Sequence, residues 1–264
     1  MIESPRISVE DIKGRIKGTI GEEIFFYESI GSTNTIAAGL AEEGKAEGVV
    51  VIADSQYKGR GKFGRLWISP TGVGIYMSII LRPKLEPKNA KLITMMAAVG
   101  CTYALRRMTG LNVTIKWPND LIVSDRKIGG ILIEIKTNPQ NIVYAITGIG
   151  INVNTDSNSF PEEIRGIATS VKEEKGAFCS RNEIIVEILN EIDYWYRMLK
   201  GGGGKVLTYE WQKLISTVGK KVTVTVGNET LAGVAESIDD EGMLVLRLPS
   251  GIERRLSAGD LTLS

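Results

Sequence analysis

The sequence predicts an α+β fold, in which a mixed-sheet catalytic domain over residues 1–216 precedes a small SH3-like β-barrel over residues 217–264. In the first part, helical segments are mixed with strands joined by hairpins, which favours α+β over a doubly wound sheet. After Gly219, short segments with period-two alternation follow one another with turns between them, which is typical of a small antiparallel barrel.

Helices of the large domain are predicted from apolar spacing and from residues typical of helix ends. Ser32, Thr33 and Asn34 offer N-cap groups before a helical apolar pattern. A short polar helix and turn is predicted over residues 7–21, and longer helices are predicted over 90–107, 182–199 and 206–215. Gly110 closes the first of these long helices.

Strands are predicted from β-branched and apolar runs. In the large domain these runs cover residues 24–27, 48–53, 75–81, 112–117, 127–134 and 142–148. Residues 120–126 are predicted to form a turn between two of them. In the barrel the runs cover residues 222–226, 230–237, 243–248 and 252–256, with turn residues between them.

Composition limits the chemistry that this chain can perform. Histidine is absent, which excludes Ser-His and Cys-His nucleophilic pairs and histidine-ligated metals. The two cysteines, Cys101 and Cys179, have no paired spacing, so we expect neither a disulfide framework nor a metal site. The formal net charge of +1 gives no general attraction to nucleic acid or membrane. Because residues 1–6 lack a signal-peptide run and no membrane-length apolar stretch occurs, we expect a cytoplasmic protein.

A glycine-rich basic segment at residues 56–67 is the most informative part of the sequence. Its glycines allow the backbone to approach a ligand closely, and its cations can bind an anion. These residues are Lys58, Gly59, Arg60, Gly61, Lys62, Gly64 and Arg65. Trp67 closes the segment and can cover an apolar or aromatic ligand.

Other interpretations of this segment fit less well. The glycines satisfy the GxGxxG spacing, but a dinucleotide site needs a helix starting at the loop, and Pro70 is followed here by another strand. A P-loop needs Gly-Lys followed by Ser or Thr, whereas Phe63 follows Lys62 and Val206 follows Lys205. A solvated basic hairpin stays open as the alternative without a ligand.

A second cluster of polar residues and glycines follows further along the chain. Residues 116–120 combine a lysine, an aromatic residue, a proline, an amide and a carboxylate. Gly129 and Gly130 remove side chains beside Lys127, which lets a ligand lie against the backbone. Residues 148–154 then place two glycines beside two asparagines. A lone lysine is more often a surface residue, but these groups together indicate a ligand site.

In this order, the motifs resemble those of biotin–protein ligases, also called biotin–[acetyl-CoA-carboxylase] ligases. The matching residues are Ser32-Thr33-Asn34, Gln56, Gly59-Arg60-Gly61, Arg65, Trp67, Lys116-Trp117-Pro118-Asn119-Asp120, Lys127, Gly130, Gly148, Gly150 and Asn152. The resemblance is strong over residues 24–154 and concerns only the layout elsewhere. It implies a mixed-sheet domain of the biotin/lipoate ligase type, formation of biotinyl-5'-AMP from biotin and ATP, and transfer of biotin to a carrier lysine.

The resemblance also implies roles for individual residues. Biotin binding is implied for Ser32, Thr33, Asn34, Gln56, Gly59, Arg60, Gly61, Lys62, Lys127 and Gly130. ATP binding is implied for Arg65, Trp67, Lys116, Asn119, Asp120 and Asn152. The catalytic groups would be Lys127, Arg60, Lys62 and Asp120, with Asp120 orienting the carrier amine or accepting its proton. ATP would arrive with Mg2+, which usually needs few protein ligands.

One departure from the family pattern is visible in the glycine-rich segment. Lys62 stands where the family commonly has arginine. Lysine keeps the positive charge but loses the planar, bidentate fork, so the contact with the adenylate is expected to differ.

Partners follow from the same resemblance. It implies a biotin carboxyl carrier protein, or the carrier domain of a biotin-dependent carboxylase, and a homodimer. Some family members repress transcription through an N-terminal winged helix-turn-helix. About thirty residues precede Ser32, too few for that domain, so we expect no DNA partner, no repressor activity and no membrane partner.

Two rival functions stay open. One is a lipoate or octanoyl transferase of similar fold, which Gly59-Arg60-Gly61 and the motif at residues 116–120 disfavour. The other is a non-catalytic biotin-binding sensor, which would not need Lys127, Asn119 and Asn152 together.

Overall fold

The computed structural model describes residues 6–263, and its centre is a mixed seven-stranded sheet. The strands are β1 (Ile24–Ile30), β2 (Val50–Gln56), β3 (Gly74–Leu81), β4 (Thr114–Lys116), β5 (Asp120–Val123), β6 (Arg126–Thr137) and β7 (Ile142–Asn152). Their order across the sheet is β1-β2-β3-β7-β6-β5-β4. Only β1 and β2 run parallel among these neighbours, and the other pairs are antiparallel. The predicted α+β class with a mixed sheet is confirmed.

Helices cover both faces of this sheet. They are α1 (Val9–Lys13), α2 (Thr33–Glu42), α3 (Lys91–Thr109), α4 (Glu162–Arg165), α5 (Val171–Lys175), α6 (Arg181–Lys200) and α7 (Gly204–Leu214). Along β2, Val50 and Ile52 belong to the large core beneath α3 and α6, whereas Val51 and Ala53 belong to a smaller core beneath α2. Because strand side chains alternate between faces, a continuous apolar run is what a strand buried on both sides requires.

A small antiparallel sheet follows the catalytic part. Its strands are β8 (Lys221–Val226), β9 (Glu229–Ile238), β10 (Leu244–Arg247), β11 (Glu253–Leu256) and β12 (Asp260–Leu263), in the order β11-β10-β9-β8-β12. This confirms the predicted C-terminal β unit and adds β12, which the sequence did not predict. Val222, Val224 and Leu244 of this unit belong to the same hydrophobic core as the main sheet.

Several predicted elements differ from the structure. Residues 120–126 were expected to form a turn, but β5 occupies Asp120–Val123, and only Ser124 and Asp125 have the positive φ of a tight turn. The side chains of Leu121, Ile122 and Val123 are buried, which favours a paired strand over a loop. The short helix predicted together with a turn over residues 7–21 is α1, whereas neither α4 nor α5 was predicted.

The ends of the chain were the subject of two predictions. The missing signal-peptide run and the outer limits of the two predicted domains fall partly on residues 1–5 and 264, which lie outside the described residues. Within residues 6–263, no helix is long and apolar enough to cross a membrane.

Candidate active site

The predicted site residues converge on one cavity of about 340 Å³ beneath the segment that joins β2 to β3. All of them except Gly59 line it. A Cβ atom at Gly59 would lie 2.3 Å from the carbonyl oxygen of Trp67, so this glycine permits close packing within the segment itself. Motifs that are separated by more than a hundred residues therefore meet in one place.

Buried polar groups at the start of α2 form the floor of the cavity. Ser32 occupies the N-cap position, but its hydroxyl makes no hydrogen bond to the helix, contrary to the predicted cap. The Thr33 backbone N–H donates to Gln56 Oε1 at 2.8 Å, and Gln56 Nε2 donates to Ser69 Oγ at 3.0 Å. These groups are fixed before a ligand arrives, so they can recognise a small polar ring at low entropic cost.

Asn34 links the floor to the sheet. Its Oδ1 accepts a hydrogen bond from Ser78 Oγ at 2.6 Å, and its Nδ2 donates to Glu134 Oε2, also at 2.6 Å. A Cβ atom at Gly148 would lie 2.2 Å from Asn34 Oδ1, so this glycine makes room for the amide. Glu134, which sequence reasoning did not identify, also accepts a hydrogen bond from Arg60.

The glycine-rich loop, residues 57–67, forms a hairpin over the cavity. The Trp67 backbone N–H donates to the Gly59 carbonyl at 3.0 Å, and the Gly61 N–H donates to the Arg65 carbonyl at 2.7 Å. Phe63 at its tip has φ of 57° and is exposed. The predicted alternative of a basic hairpin describes this backbone, but the cations at positions 60, 62 and 65 also line the cavity.

The indole of Trp67 lies across β6 and β7. A Cβ atom at Gly150 would lie 2.5 Å from Trp67 Nε1, and one at Gly130 would lie 3.4 Å from the ring. Trp67 Nε1 is buried and has no hydrogen-bond partner within the described chain. Gly130, which was expected to let a ligand lie against the backbone, and Gly150 therefore make room for a tryptophan side chain.

Two lysines share one carboxylate on neighbouring strands. Lys127 Nζ lies 2.6 Å from Asp120 Oδ1, and Lys116 Nζ lies 3.4 Å from Asp120 Oδ2. Burial raises the pKa of Asp120, but the charges and hydrogen bonds of the two lysines outweigh it and hold that pKa below its usual range. The cluster therefore carries a net positive charge towards the cavity, and its carboxylate is a weak base.

Lys62 of the glycine-rich loop has a strongly shifted pKa. Burial of its ammonium group, together with the nearby charges of Lys127 and Arg65, lowers this pKa to about 8, while Asp120 acts in the opposite direction. The burial contribution is the largest. Lys62 is therefore mostly charged at neutral pH and loses that charge a little above it.

The side chains of the two asparagines predicted to bind ATP are hydrogen-bonded to nearby backbone carbonyls. Asn119 Nδ2 donates to the Ile131 carbonyl, and Asn152 Nδ2 donates to the Thr169 carbonyl at 3.0 Å. Both side chains are buried at the cavity wall. Each amide is thereby oriented with its oxygen available as an acceptor for a ligand donor.

The C-terminal β unit closes one side of the cavity. Arg65 donates two hydrogen bonds to the carboxylate of Asp260, at 3.1 and 2.8 Å, and Lys116 Nζ donates to the Leu261 carbonyl at 3.2 Å. Trp117 Nε1 donates to the Gly242 carbonyl, also at 3.2 Å. The basic loop and the motif at residues 116–120 therefore both bind backbone or side chains of the β unit.

Sequence reasoning missed several residues of this site. Glu134 and Asp260 contact the glycine-rich loop over sequence separations of 74 and 195 residues, and no local pattern signals such a contact. An apolar wall formed by Phe160, Ile164 and Ile167 was also missed, because the segment holds only a short helix. Among residues 6–263, no group of three or more His, Cys, Asp or Glu side chains could hold a metal ion.

Comparison with protein families agrees with this geometry. The model of the biotin/lipoate A/B protein ligase family matches residues 26–154, and the model of the biotin protein ligase C-terminal domain matches residues 217–263. These two matches correspond to the main sheet and to the C-terminal β unit.

Comparison with individual proteins gives the same result. The bifunctional ligase/repressor BirA of Bacillus spizizenii is 35% identical over 260 residues, which cover 98% of this chain and 80% of that protein. The biotin–[acetyl-CoA-carboxylase] ligase of Mycobacterium tuberculosis is 30% identical over 237 residues, which cover 88% of this chain and 85% of that protein. The structure of the Aquifex aeolicus biotin protein ligase in complex with biotin and ATP is similar with a TM-score of 0.77 at 26% identity, covering 92% of this chain and 99% of that one. With a matching fold, a converged set of site residues and relatives of this similarity, the chain belongs to the biotin protein ligase family.

Proposed function

We propose that this enzyme condenses biotin with ATP to form biotinyl-5'-AMP and then transfers biotin to a lysine of a carrier protein. The observation that carries the proposal is that one cavity joins a neutral polar floor to a cationic cluster under a basic loop. A ligand with a polar ring at one end and a carboxylate at the other fits this division of charge. The similar Aquifex aeolicus biotin protein ligase, whose structure is a complex with biotin and ATP, supports it.

In the first step, the biotin carboxylate attacks the α-phosphorus of ATP and pyrophosphate leaves. Two anions must meet, so part of the barrier is electrostatic repulsion. With the ureido ring held by Ser32, Thr33 and Gln56, the carboxylate would lie towards Lys127 and Arg60. Fixed cations at this point offset the repulsion and stabilise the charge of the transition state.

The nucleotide would bind on the side of Trp67 and the two asparagines. The oriented amide oxygens of Asn119 and Asn152 can accept hydrogen bonds from the adenine amino group or the ribose. Lys116, Arg65 and Lys62 would contact the phosphates. A magnesium ion that enters with ATP would be held mainly by phosphate oxygens and water, so few protein ligands are required.

In the second step, the carrier amine attacks the acyl carbon of the adenylate and AMP leaves. Since the pKa of Asp120 is held low, its carboxylate is suited to orienting the incoming amine and poorly suited to removing its proton. The glycine-rich loop lies over the cavity and would exclude water from the hydrolysis-prone anhydride.

Biotin-dependent exchange of labelled pyrophosphate into ATP tests the first step directly. We expect exchange with biotin and none with lipoate, together with a biotinyl-AMP species detected by mass spectrometry. Subsequent addition of a biotin carboxyl carrier domain should give a carrier with one biotin amide at a lysine. Exchange driven by lipoate, or by neither acid, would overturn the proposal.

We also propose that residues 6–263 by themselves do not bind operator DNA, although the BirA relatives are named bifunctional ligase/repressor. Within residues 6–263, the only helix before β1 is the five-residue α1, which is too short for a helix-turn-helix unit. A gel-shift titration with operator DNA at moderate salt should show no specific complex. A sequence-specific shift that biotin and ATP enhance would contradict this.

The homodimer stays a prediction from the family resemblance, and the cytoplasmic location stays a prediction from the sequence alone. Light scattering after size-exclusion chromatography, with and without biotin and ATP, measures the oligomeric state. Fractionation of the source cells measures the location of the protein.

A further inference from the structure

Glu134 of β6 binds two residues of the cavity without lining the main cavity itself. Its Oε2 accepts hydrogen bonds from Arg60 NH2 and from Asn34 Nδ2, each at 2.6 Å. Glu134 instead lines a second, more open cavity together with Arg60. We propose that Glu134 is a positioning residue that ties Arg60 of the loop to the cavity floor; this rests on the function proposed for that cavity.

The carboxylate sets the direction of the hydrogen bonds that lead to the floor. An ionised carboxylate only accepts, so Asn34 must turn Nδ2 towards Glu134 and Oδ1 towards Ser78. The single hydroxyl proton of Ser78 then goes to Asn34 Oδ1. Thr33 Oγ1 lies 2.7 Å from Ser78 Oγ and 3.2 Å from Gln56 Oε1, so the Thr33 hydroxyl proton has acceptors within the floor itself. Thr33 therefore offers a lone pair to the cavity and is suited to a ligand N–H.

The other end of this chain of hydrogen bonds is the loop. Arg60 binds Glu134 through one nitrogen, and no second hydrogen-bond partner for its guanidinium occurs within residues 6–263. A guanidinium has five donors, so several remain for an anion in the cavity. Without Glu134, the half-exposed Arg60 side chain would sample many rotamers, and ligand binding would have to fix it.

An exposed ion pair contributes little to folding stability, so Glu134 can be removed without unfolding the protein. The chain also contains a matched control. Lys136 and Glu42 form an ion pair at 2.6 Å that joins the same two elements, β6 and α2, but lies away from the loop. Glu42→Ala therefore removes an ion pair between these elements without touching Arg60.

The first experiment measures the loop without ligand. Trypsin cleaves after Lys and Arg, so its rate of cleavage within residues 58–65 reports how well the loop is held. We expect trypsin to cut the loop of Glu134→Ala about tenfold faster than that of the wild type, because local opening of the loop sets the rate of cleavage. The melting temperature of the variant should be unchanged. Glu42→Ala should be cut at the wild-type rate. Equal rates for Glu134→Ala and wild type would overturn the proposal.

The second experiment is a double-mutant cycle in biotin-dependent pyrophosphate exchange. Glu134→Ala should raise KM for biotin about tenfold and change kcat by less than about twofold, since placement of Arg60 is lost and the reacting groups stay. In an Arg60→Ala background the same change should raise KM much less than in the wild type, because only the contact of Glu134 with Asn34 is then left to lose. Glu134→Gln keeps an acceptor oxygen and should restore most of the wild-type KM.

The outcomes separate the two proposals. Additive effects of the Glu134 and Arg60 substitutions on KM would show that Glu134 does not act through Arg60. If the wild type shows no biotin-dependent exchange, the proposed function fails, while the trypsin comparison still decides whether Glu134 positions the loop.

Discussion

The two sides of the cavity are built in different ways. On the sheet side, Thr33, Gln56, Asp120 and Lys127 lie on regular elements, and each is bound to a neighbour that is itself fixed. On the loop side, cations occupy a hairpin whose tip residue Phe63 is exposed, and Arg60 and Arg65 are held by ion pairs that are about half exposed. A rigid side can recognise the ligand and stabilise charge at a fixed point, whereas a loosely held side can open for substrates and close over an intermediate.

The largest effect is expected on the sheet side. Lys127→Ala should reduce the rate of biotin-dependent pyrophosphate release on the order of 10³-fold, as expected when a fixed charge that stabilises the transition state is lost. The melting temperature should change little, because the Lys127 side chain is partly exposed. Lys136→Ala on the same strand serves as a control with normal activity. Near-normal release by Lys127→Ala would place the essential charge on the loop instead.

A second substitution tests recognition by the floor. Thr33→Val keeps the shape of the side chain but removes the lone pair that faces the cavity. The affinity for biotin, measured by calorimetry, should fall about tenfold, the size expected for one lost hydrogen bond to a buried ligand group. kcat for adenylation should stay near its normal value, and a fall in kcat equal to the fall in affinity would contradict separate roles for the two sides.

The loop side should respond to pH. The pKa of Lys62 is lowered to about 8, so its positive charge is present below that pH and is lost as the pH rises through it. kcat/KM of the first half-reaction, which reports groups of the free enzyme, should therefore fall above about pH 8. In Lys62→Arg the guanidinium stays charged, and the fall should move to higher pH. A fall at the same pH in both proteins would assign it to another group.

The smallest effect is expected where the loop meets the C-terminal β unit. Asp260→Asn removes the charge that holds Arg65, in a pair that is about half exposed. KM for ATP should rise about twofold to fivefold, in line with the modest strength of exposed ion pairs. Asp240→Asn, on an exposed turn of the same unit, should leave KM unchanged. A large loss in kcat for Asp260→Asn would instead give the β unit a direct part in the chemistry.

Much of the fold and the grouping of the site residues could be predicted from the sequence. The motifs that meet in the cavity carry glycines, cations and amides in short, recognisable runs. These runs predicted one ligand site before the distances between them were known. The continuous apolar run at residues 48–53 likewise indicated a strand buried on both faces, which β2 is.

The rest depended on tertiary contacts. The strand β5 was taken for a turn, because its four residues pair with β4 across the turn at residues 117–119 and with β6 across the reversal at Ser124 and Asp125. Glu134 lies in an ordinary alternating strand, and nothing in its neighbourhood indicates a partner on the loop. Trp67 was expected to cover a ligand, but its contact with Gly150 could be found only once β7 was placed beside β6.

Trp117 has a consequence for how the molecule loses its structure. Its side chain is almost wholly inaccessible, it donates to the Gly242 carbonyl, and the hydrophobic core around it contains residues from both parts of the chain. Two units that share one interior cannot melt independently, because releasing either exposes the apolar surface of the other. Calorimetry should therefore record a single cooperative transition for this enzyme, and heating should abolish the cavity and the C-terminal β unit at the same temperature.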